Sequence, residues 1–302
     1  MNAIETQGLT KSFHGLYAVK DLSLHVPQGS IYGFIGENGS GKSTTEKLIC
    51  GLLVRSSGTI DIMGQPNSNP VIRSRLGALI ENPGCFPNST VYQNLFMQCL
   101  NLGVNDPEEK IAEVLHLVSM EGAARRKFRE CSLGMKQRIG IAQSLLGDPK
   151  ILILDEPING LDADGMRIFR ETILRLNHDK GVTVLISSHI LGELEKIATH
   201  YGIIRHGQMI KEIGAADLQK ECRSFVTVKT NDNERAAISL KAYYPSLEIK
   251  DGEIRIYEEN ATEAIAASLC QNGYGIRELR MQRIGLEEYY LQVMQAQEGN
   301  QA

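Results

Sequence analysis

The glycine-rich stretch GENGSGKS, Gly36 to Ser43, leaves this chain few folds to choose from. It fills the pattern G-x-x-x-x-G-K-[ST] completely. It also stands where that pattern has to stand, after the apolar run IYGFI and before the helix-like KSTTEKLICGLL. A strand that passes through glycine into a helix directs successive N–H groups inward at the positive end of that helix, and such a nest favours a polyanion. Gly39 and Gly41 permit the turn. Lys42 supplies a point charge for β- and γ-phosphates, and Ser43 offers a hydroxyl to Mg²⁺. The expected nucleotide contacts are Gly36, Asn38, Gly39, Ser40, Gly41, Lys42, Ser43 and Thr44.

Short apolar runs alternate with helical patterns as far as about residue 215. IYGFI, ILIL (Ile151 to Leu154) and VTVLIS (Val182 to Ser187) read as buried parallel strands. LGMKQRIGIAQSLL and ADGMRIFRETILRL follow with helical spacing, so the domain is α/β with a mainly parallel sheet. LSLHVPQGS suggests short antiparallel strands at one edge. Beyond a helical linker at AADLQKE the pattern changes. SFVTVKT, LEIKDGEIRIYE and IRELRMQ read as strands, with a tight turn at Asp251-Gly252, and NERAAISLKAYY and ATEAIAASLCQNG read as helices. That order resembles a split β-α-β unit. The expected division is residues 1–219 for nucleotide binding and 220–302 for a small α+β domain.

A phosphate loop needs a carboxylate on the metal side. ILILDEP supplies Asp155 at the end of a buried strand, and Glu156 next to it is placed to accept hydrogen bonds from an attacking water. CSLGMKQR resembles the signature segment, usually L-S-G-G-Q, of the ATP-binding cassette ATPases. Ser132 and Gly134 match, while Cys131, Leu133 and Met135 depart from it. Ser132 also suits a plain helix N-cap. The segment lies about twenty residues before the Asp155 strand, as in that family. INGLD, ending at Asp162, resembles the family's D-loop, and ISSHILGELEKIA its switch-histidine segment, with His189. In LTKSFHG, Phe13 takes the place of the aromatic that stacks on adenine; packing into the core is its other reading. The resemblance spans residues 1 to about 215.

It implies a P-loop cassette with an antiparallel edge subdomain and a helical subdomain. It also implies two cassettes closing head to tail, each ATP held between one Walker loop and the other chain's signature, with Glu156, His189 and Lys42 serving hydrolysis. In LGALIENPGCFPNSTVYQNL, Glu81 stands where most members carry a glutamine that touches metal and water; a slip of one residue would give that place to Asn82. Glutamate keeps an acceptor there but loses the amide donor. Ser43, Glu81 and Asp155 are therefore the expected metal side. LIENPGCFPN, SLGMKQR and ISSHIL together resemble the bacitracin-resistance and lantibiotic-immunity exporter ATPases, which work with separate membrane subunits.

The rest of the sequence sets limits on partners. Net charge is −4, which gives no electrostatic footprint for nucleic acid; the basic run Arg125 to Arg129 reads as a solvated face. No stretch approaches the roughly 18 apolar residues that span a bilayer, and the start lacks a signal-peptide apolar region. The six cysteines form no C-x-x-C pair, which argues against zinc and for reduced thiols. The expected partners are a second, identical ATPase subunit and transmembrane permease subunits, at the cytoplasmic face of a membrane. An importer ATPase with a regulatory C-terminal domain, or a cassette acting on ribosome or DNA, are the alternatives.

Overall fold

In the computed structural model, residues 1–222, 224–257 and 262–299 are described. The chain divides into two compact units, Met1–Ala215 and Ala216–Ala302.

The first unit is built on two sheets. Strands β1 (Asn2–Phe13), β2 (Leu16–Pro27), β4 (Ser57–Ile62) and β5 (Gln65–Pro66) form an antiparallel sheet ordered β2-β1-β4-β5. Sequence reading expects short edge strands here, yet β1 and β2 run for 12 residues each. Repeated register shifts between them break the two-residue alternation that would mark their length.

The second sheet is ordered β10-β9-β3-β8-β7-β6, from β3 (Ile31–Ile35), β6 (Leu76–Leu79), β7 (Ile151–Asp155), β8 (Thr183–Ser188), β9 (His200–Arg205) and β10 (Gln208–Gly214). Only β10 runs antiparallel, joined to β9 through His206-Gly207, both at positive φ as a tight hairpin requires. β3, β7 and β8 are buried at every position, because a parallel sheet covered on both faces has no solvent side for a polar residue. Tyr32, Phe34, Leu48, Ile151, Ile153 and Leu185 lie in the core that ties the two sheets together.

The helices of this unit are α1 (Lys42–Ile49), α2 (Pro70–Arg73), α3 (Val91–Leu102), α4 (Pro107–Leu117), α5 (Leu133–Leu145), α6 (Ala163–Lys180) and α7 (Leu191–Leu194). α3 is closed at its start by a capping box of Thr90 and Gln93 and at its end by left-handed Gly103. α3, α4 and α5 pack on one another as a helical subdomain. What matters for the site is the parallel order β3-β8-β7, which sets three carboxyl ends side by side, where α/β folds gather ligands.

Helix α8 (Ala215–Glu221) begins at the boundary, and the second unit continues with β11 (Ser224–Thr230), α9 (Asn233–Lys241), β12 (Leu247–Lys250), β13 (Glu253–Ile256), α10 (Thr262–Gln271), β14 (Ile276–Arg283) and α11 (Leu286–Gly299). Glu258 and Ala261, at the ends of two sequence-read elements, lie outside the described residues. The sheet is antiparallel, ordered β12-β13-β11-β14, which is the βαββαβ arrangement. Val226, Val228, Ile254 and Ile256 pack on α9 and α10 to form a core of its own. Asp251 and Gly252 make the two-residue turn between β12 and β13.

Candidate nucleotide site

The loop from β3 to α1 depends on glycine at three positions, and Gly39 is one of them, at φ 80°. Gly41 sits at φ 108°, and a Cβ on it would come 2.6 Å from the Ala18 carbonyl of β2. At Gly36 a Cβ would lie 2.5 Å from both the Ile204 carbonyl and Ser40 Oγ. Neighbouring strands therefore press on the loop from both sides. Gly207 N adds a hydrogen bond to the Ser40 carbonyl at 2.8 Å.

Lys42 is only 5% exposed. Its Nζ donates to the carbonyls of Gly36 at 2.7 Å and Glu37 at 3.1 Å, and lies 3.7 Å from Glu156 Oε1. Ser40 Oγ and Glu156 Oε1 are buried with no hydrogen-bond partner. Buried polar atoms without partners are uncommon in folded proteins, and here one belongs to the loop itself and the other lies 3.7 Å from Lys42 Nζ.

Asp155 ends β7 and is buried; Ser187 Oγ of β8 donates to its Oδ1 at 2.9 Å. The Glu156 N–H donates to Ser187 Oγ at 3.2 Å and to the Ser187 carbonyl at 3.1 Å. These bonds hold Glu156 at φ 48°, a left-handed backbone that a non-glycine residue adopts only under constraint. His189 Nδ1 then donates to Glu156 Oε2 at 2.9 Å. Lys42, Glu156 and His189 thus form one connected set across the ends of β3, β7 and β8.

The other sequence-predicted residues lie as follows. Ser43 and Thr44 occupy the first turn of α1, with Asn38 and Gly39 in the loop before it. Phe13 ends β1 at 42% exposure, with Lys11 Nζ 4.8 Å from its ring centroid, so it is not core-packed. Ser132 does cap α5, accepting from Met135 N at 3.3 Å, and Asp162 caps α6, accepting from Gly165 N at 2.8 Å. A Cβ on Gly134 would meet the Gly160 carbonyl at 3.2 Å, so the signature-like helix start leans on the INGLD segment. Among the described residues no hydrogen bond joins Ser132, Gly134 or Asp162 to Lys42 or Glu156. Glu81 is engaged elsewhere: its Oε1 accepts from Lys47 Nζ at 2.5 Å.

Sequence reading passed over Glu46. It is 0% exposed, and neither carboxyl oxygen has a hydrogen-bond partner. Burial first, and then the Asp155 charge, push its pKa well above the usual carboxylate range. The signal was available: Glu46 is four residues after Lys42, on the buried face of α1.

A magnesium nucleotide fits these residues. The Ser43 hydroxyl and Asp155 carboxylate are hard oxygen donors, and the buried Ser40 hydroxyl, which has no hydrogen-bond partner, can donate to a phosphate. Among the described residues no cluster of three or more His, Cys, Asp or Glu could hold a metal unaided.

Residues 19–159 match the family model described as ABC transporter. The chain is 35% identical over 298 residues to the bacitracin transport ATP-binding protein BcrA of Bacillus licheniformis, covering 96% of this chain and 97% of that protein. This chain belongs to the ABC transporter ATP-binding proteins. It is also 40% identical over 209 residues to the lantibiotic transport ATP-binding protein SrtF of Streptococcus pyogenes, covering 69% of this chain and 90% of the other. Among solved structures, a dimeric ATP-binding cassette in a post-hydrolysis state bound to ADP and Pi superposes with a TM-score of 0.66 at 22% identity, covering 70% of this chain and 98% of that one. As an ABC ATPase the chain is an ATP-binding transporter subunit, of the kind that dimerises and works with membrane permeases. No helix among its described residues is long and apolar enough to cross a membrane.

Proposed function

We propose that this ABC ATPase drives the export of peptide antibiotics of the bacitracin or lantibiotic type, as one of two identical cassettes held against the cytoplasmic face of a membrane by separate permease subunits. One observation carries this reading: the likeness to the bacitracin transport protein extends over 96% of the chain, so it includes the second unit and not the cassette alone.

The residues give the ATPase its steps. ATP enters the loop between β3 and α1, where Lys42 exchanges the Gly36 and Glu37 carbonyls for phosphate oxygens. The N–H groups at the start of α1 face the same phosphates. Phe13 offers the exposed face of its ring to adenine. Ser43 and Asp155 would hold magnesium, which supplies charge neutralisation to the phosphates when bound. Glu156 accepts a hydrogen bond from the attacking water, and His189 fixes the carboxylate's direction through Oε2. Ser132 and Gly134 serve the nucleotide of the second copy, so closure needs two ATP-loaded cassettes and relaxes once phosphate leaves.

The test is resistance in a peptide-sensitive host that expresses this chain with its permease subunits. Wild type should raise tolerance to bacitracin or a lantibiotic. Glu156→Gln should abolish it, with phosphate release down at least about 100-fold and ATP binding retained. A wild-type pair that protects against none of these peptides overturns the export reading.

A further inference from the structure

Strand β8 reads TVLISS, and its last two side chains are hydroxyls with no access to solvent. A hydroxyl inside an apolar sheet is costly unless it is hydrogen-bonded, so each needs a partner. Ser188 has a local one: its Oγ accepts from Ile190 N at 2.9 Å and shapes the turn that carries His189. Among the described residues Ser187 makes no such local bond. It pairs across the sheet with Asp155 of β7, and its side-chain hydrogen bonds cross to the end of that strand.

A serine hydroxyl has one proton to give and lone pairs to receive with. The Glu156 N–H occupies a lone pair at 3.2 Å, and the proton goes to Asp155 Oδ1 at 2.9 Å. The hydroxyl therefore closes a ring between the Asp155 carboxylate and the N–H of the peptide that follows it. That ring fixes how the carboxylate is turned, and a bond to a charged acceptor is one of the stronger kinds. The same oxygen helps to hold Glu156 at its φ of 48°, from which its carboxylate meets His189. Without it, the Glu156 N–H keeps the Ser187 carbonyl at 3.1 Å, and Asp155 Oδ1 loses its donor.

We propose that Ser187 is a positioning residue for ATP hydrolysis: one hydroxyl orients Asp155 and Glu156 together, so that the metal-side and the water-side carboxylates are placed as a unit. Two properties then depend on the same oxygen. One is the gain in nucleotide affinity on adding magnesium, through Asp155. The other is the rate of turnover, through Glu156. The inference rests on the ATP-site reading above.

The test compares Ser187→Ala with its parent in two measurements on the full chain. Phosphate release from magnesium ATP should show kcat down about 10- to 100-fold, the scale of one hydrogen bond to a charged group. Binding of a fluorescent methylanthraniloyl-ATP is then measured in a Glu156→Gln background, once with Mg²⁺ and once with EDTA. Affinity in EDTA should stay at the parent value. The ratio of the two affinities should fall about three- to tenfold, the net worth of one hydrogen bond. A merely structural loss would weaken both affinities alike. Ser187→Thr keeps the hydroxyl on a side chain suited to a strand and should bring kcat back towards the parent. Ser187→Cys, a weaker donor of similar shape, should be intermediate, and it covers the case in which the threonine methyl does not fit. A parental kcat in Ser187→Ala, an equal loss of both affinities, or threonine and cysteine variants both as slow as alanine overturns the role of Ser187. A parent that releases no phosphate overturns the site reading itself, and this inference with it.

Discussion

Glu46 is a carboxyl group closed inside the protein beside a second carboxylate, and that has a consequence for stability. Its pKa is raised in the folded state, by burial and then by Asp155, above the ordinary value of 4.5. A raised pKa means that the folded state binds the proton more tightly. The associated stability is fully present below the unfolded pKa and is lost as pH rises from there towards the folded value. Glu46→Gln keeps the neutral shape and removes this dependence. It should leave the thermal midpoint at pH 5 nearly unchanged and raise stability at pH 8, by about 1.4 kcal/mol for each pH unit over which the wild type loses this contribution. Thermal unfolding of nucleotide-free protein at the two pH values reads this; equal midpoints at pH 8 would show that Glu46 makes no such contribution. Glu46 and Ser187 were hard to find in the sequence for the same physical reason. Their importance comes from α1 and β8 meeting Asp155, and no local pattern records a meeting between segments far apart in the chain. Lys42 and Ser43 were easy to find because an anion nest is made by consecutive backbone groups. Asp155 was visible because a charged residue ending a wholly apolar strand is conspicuous.

At the level of elements, the parallel core was readable because β3, β7 and β8 have no solvent face, which leaves unbroken apolar runs. β1 and β2 were underestimated because their register shifts disturb the alternation. One tight joint lies between the nucleotide loop and β2. Gly41 is left-handed and its missing side chain makes room for the Ala18 carbonyl. Gly41→Ala would have to push β2 from the loop or unwind the first turn of α1. We expect about 1–3 kcal/mol of destabilisation from backbone strain and loss of detectable nucleotide binding. Denaturant unfolding and a nucleotide titration check both halves. Near wild-type ATP affinity in Gly41→Ala would mean the loop has more freedom than its φ of 108° implies.

Among the described residues each unit has a hydrophobic core of its own. A chain of residues 1–215 should therefore unfold cooperatively and bind ATP within about threefold of the full protein, since every residue proposed for the nucleotide site lies within it. Calorimetry and a nucleotide titration test this, and a truncated chain that fails to fold would show that the first core is insufficient alone. The sheet order has a further consequence, for synthesis on the ribosome. The nucleotide loop is made early, but Ile31 pairs with Val184, about 150 residues downstream. At about 5–20 residues per second, the loop emerges many seconds before β8 and β9 exist to support it. ATP cannot guide the first stages of folding, because the newborn chain has nowhere to receive it until the last strands of the cassette arrive.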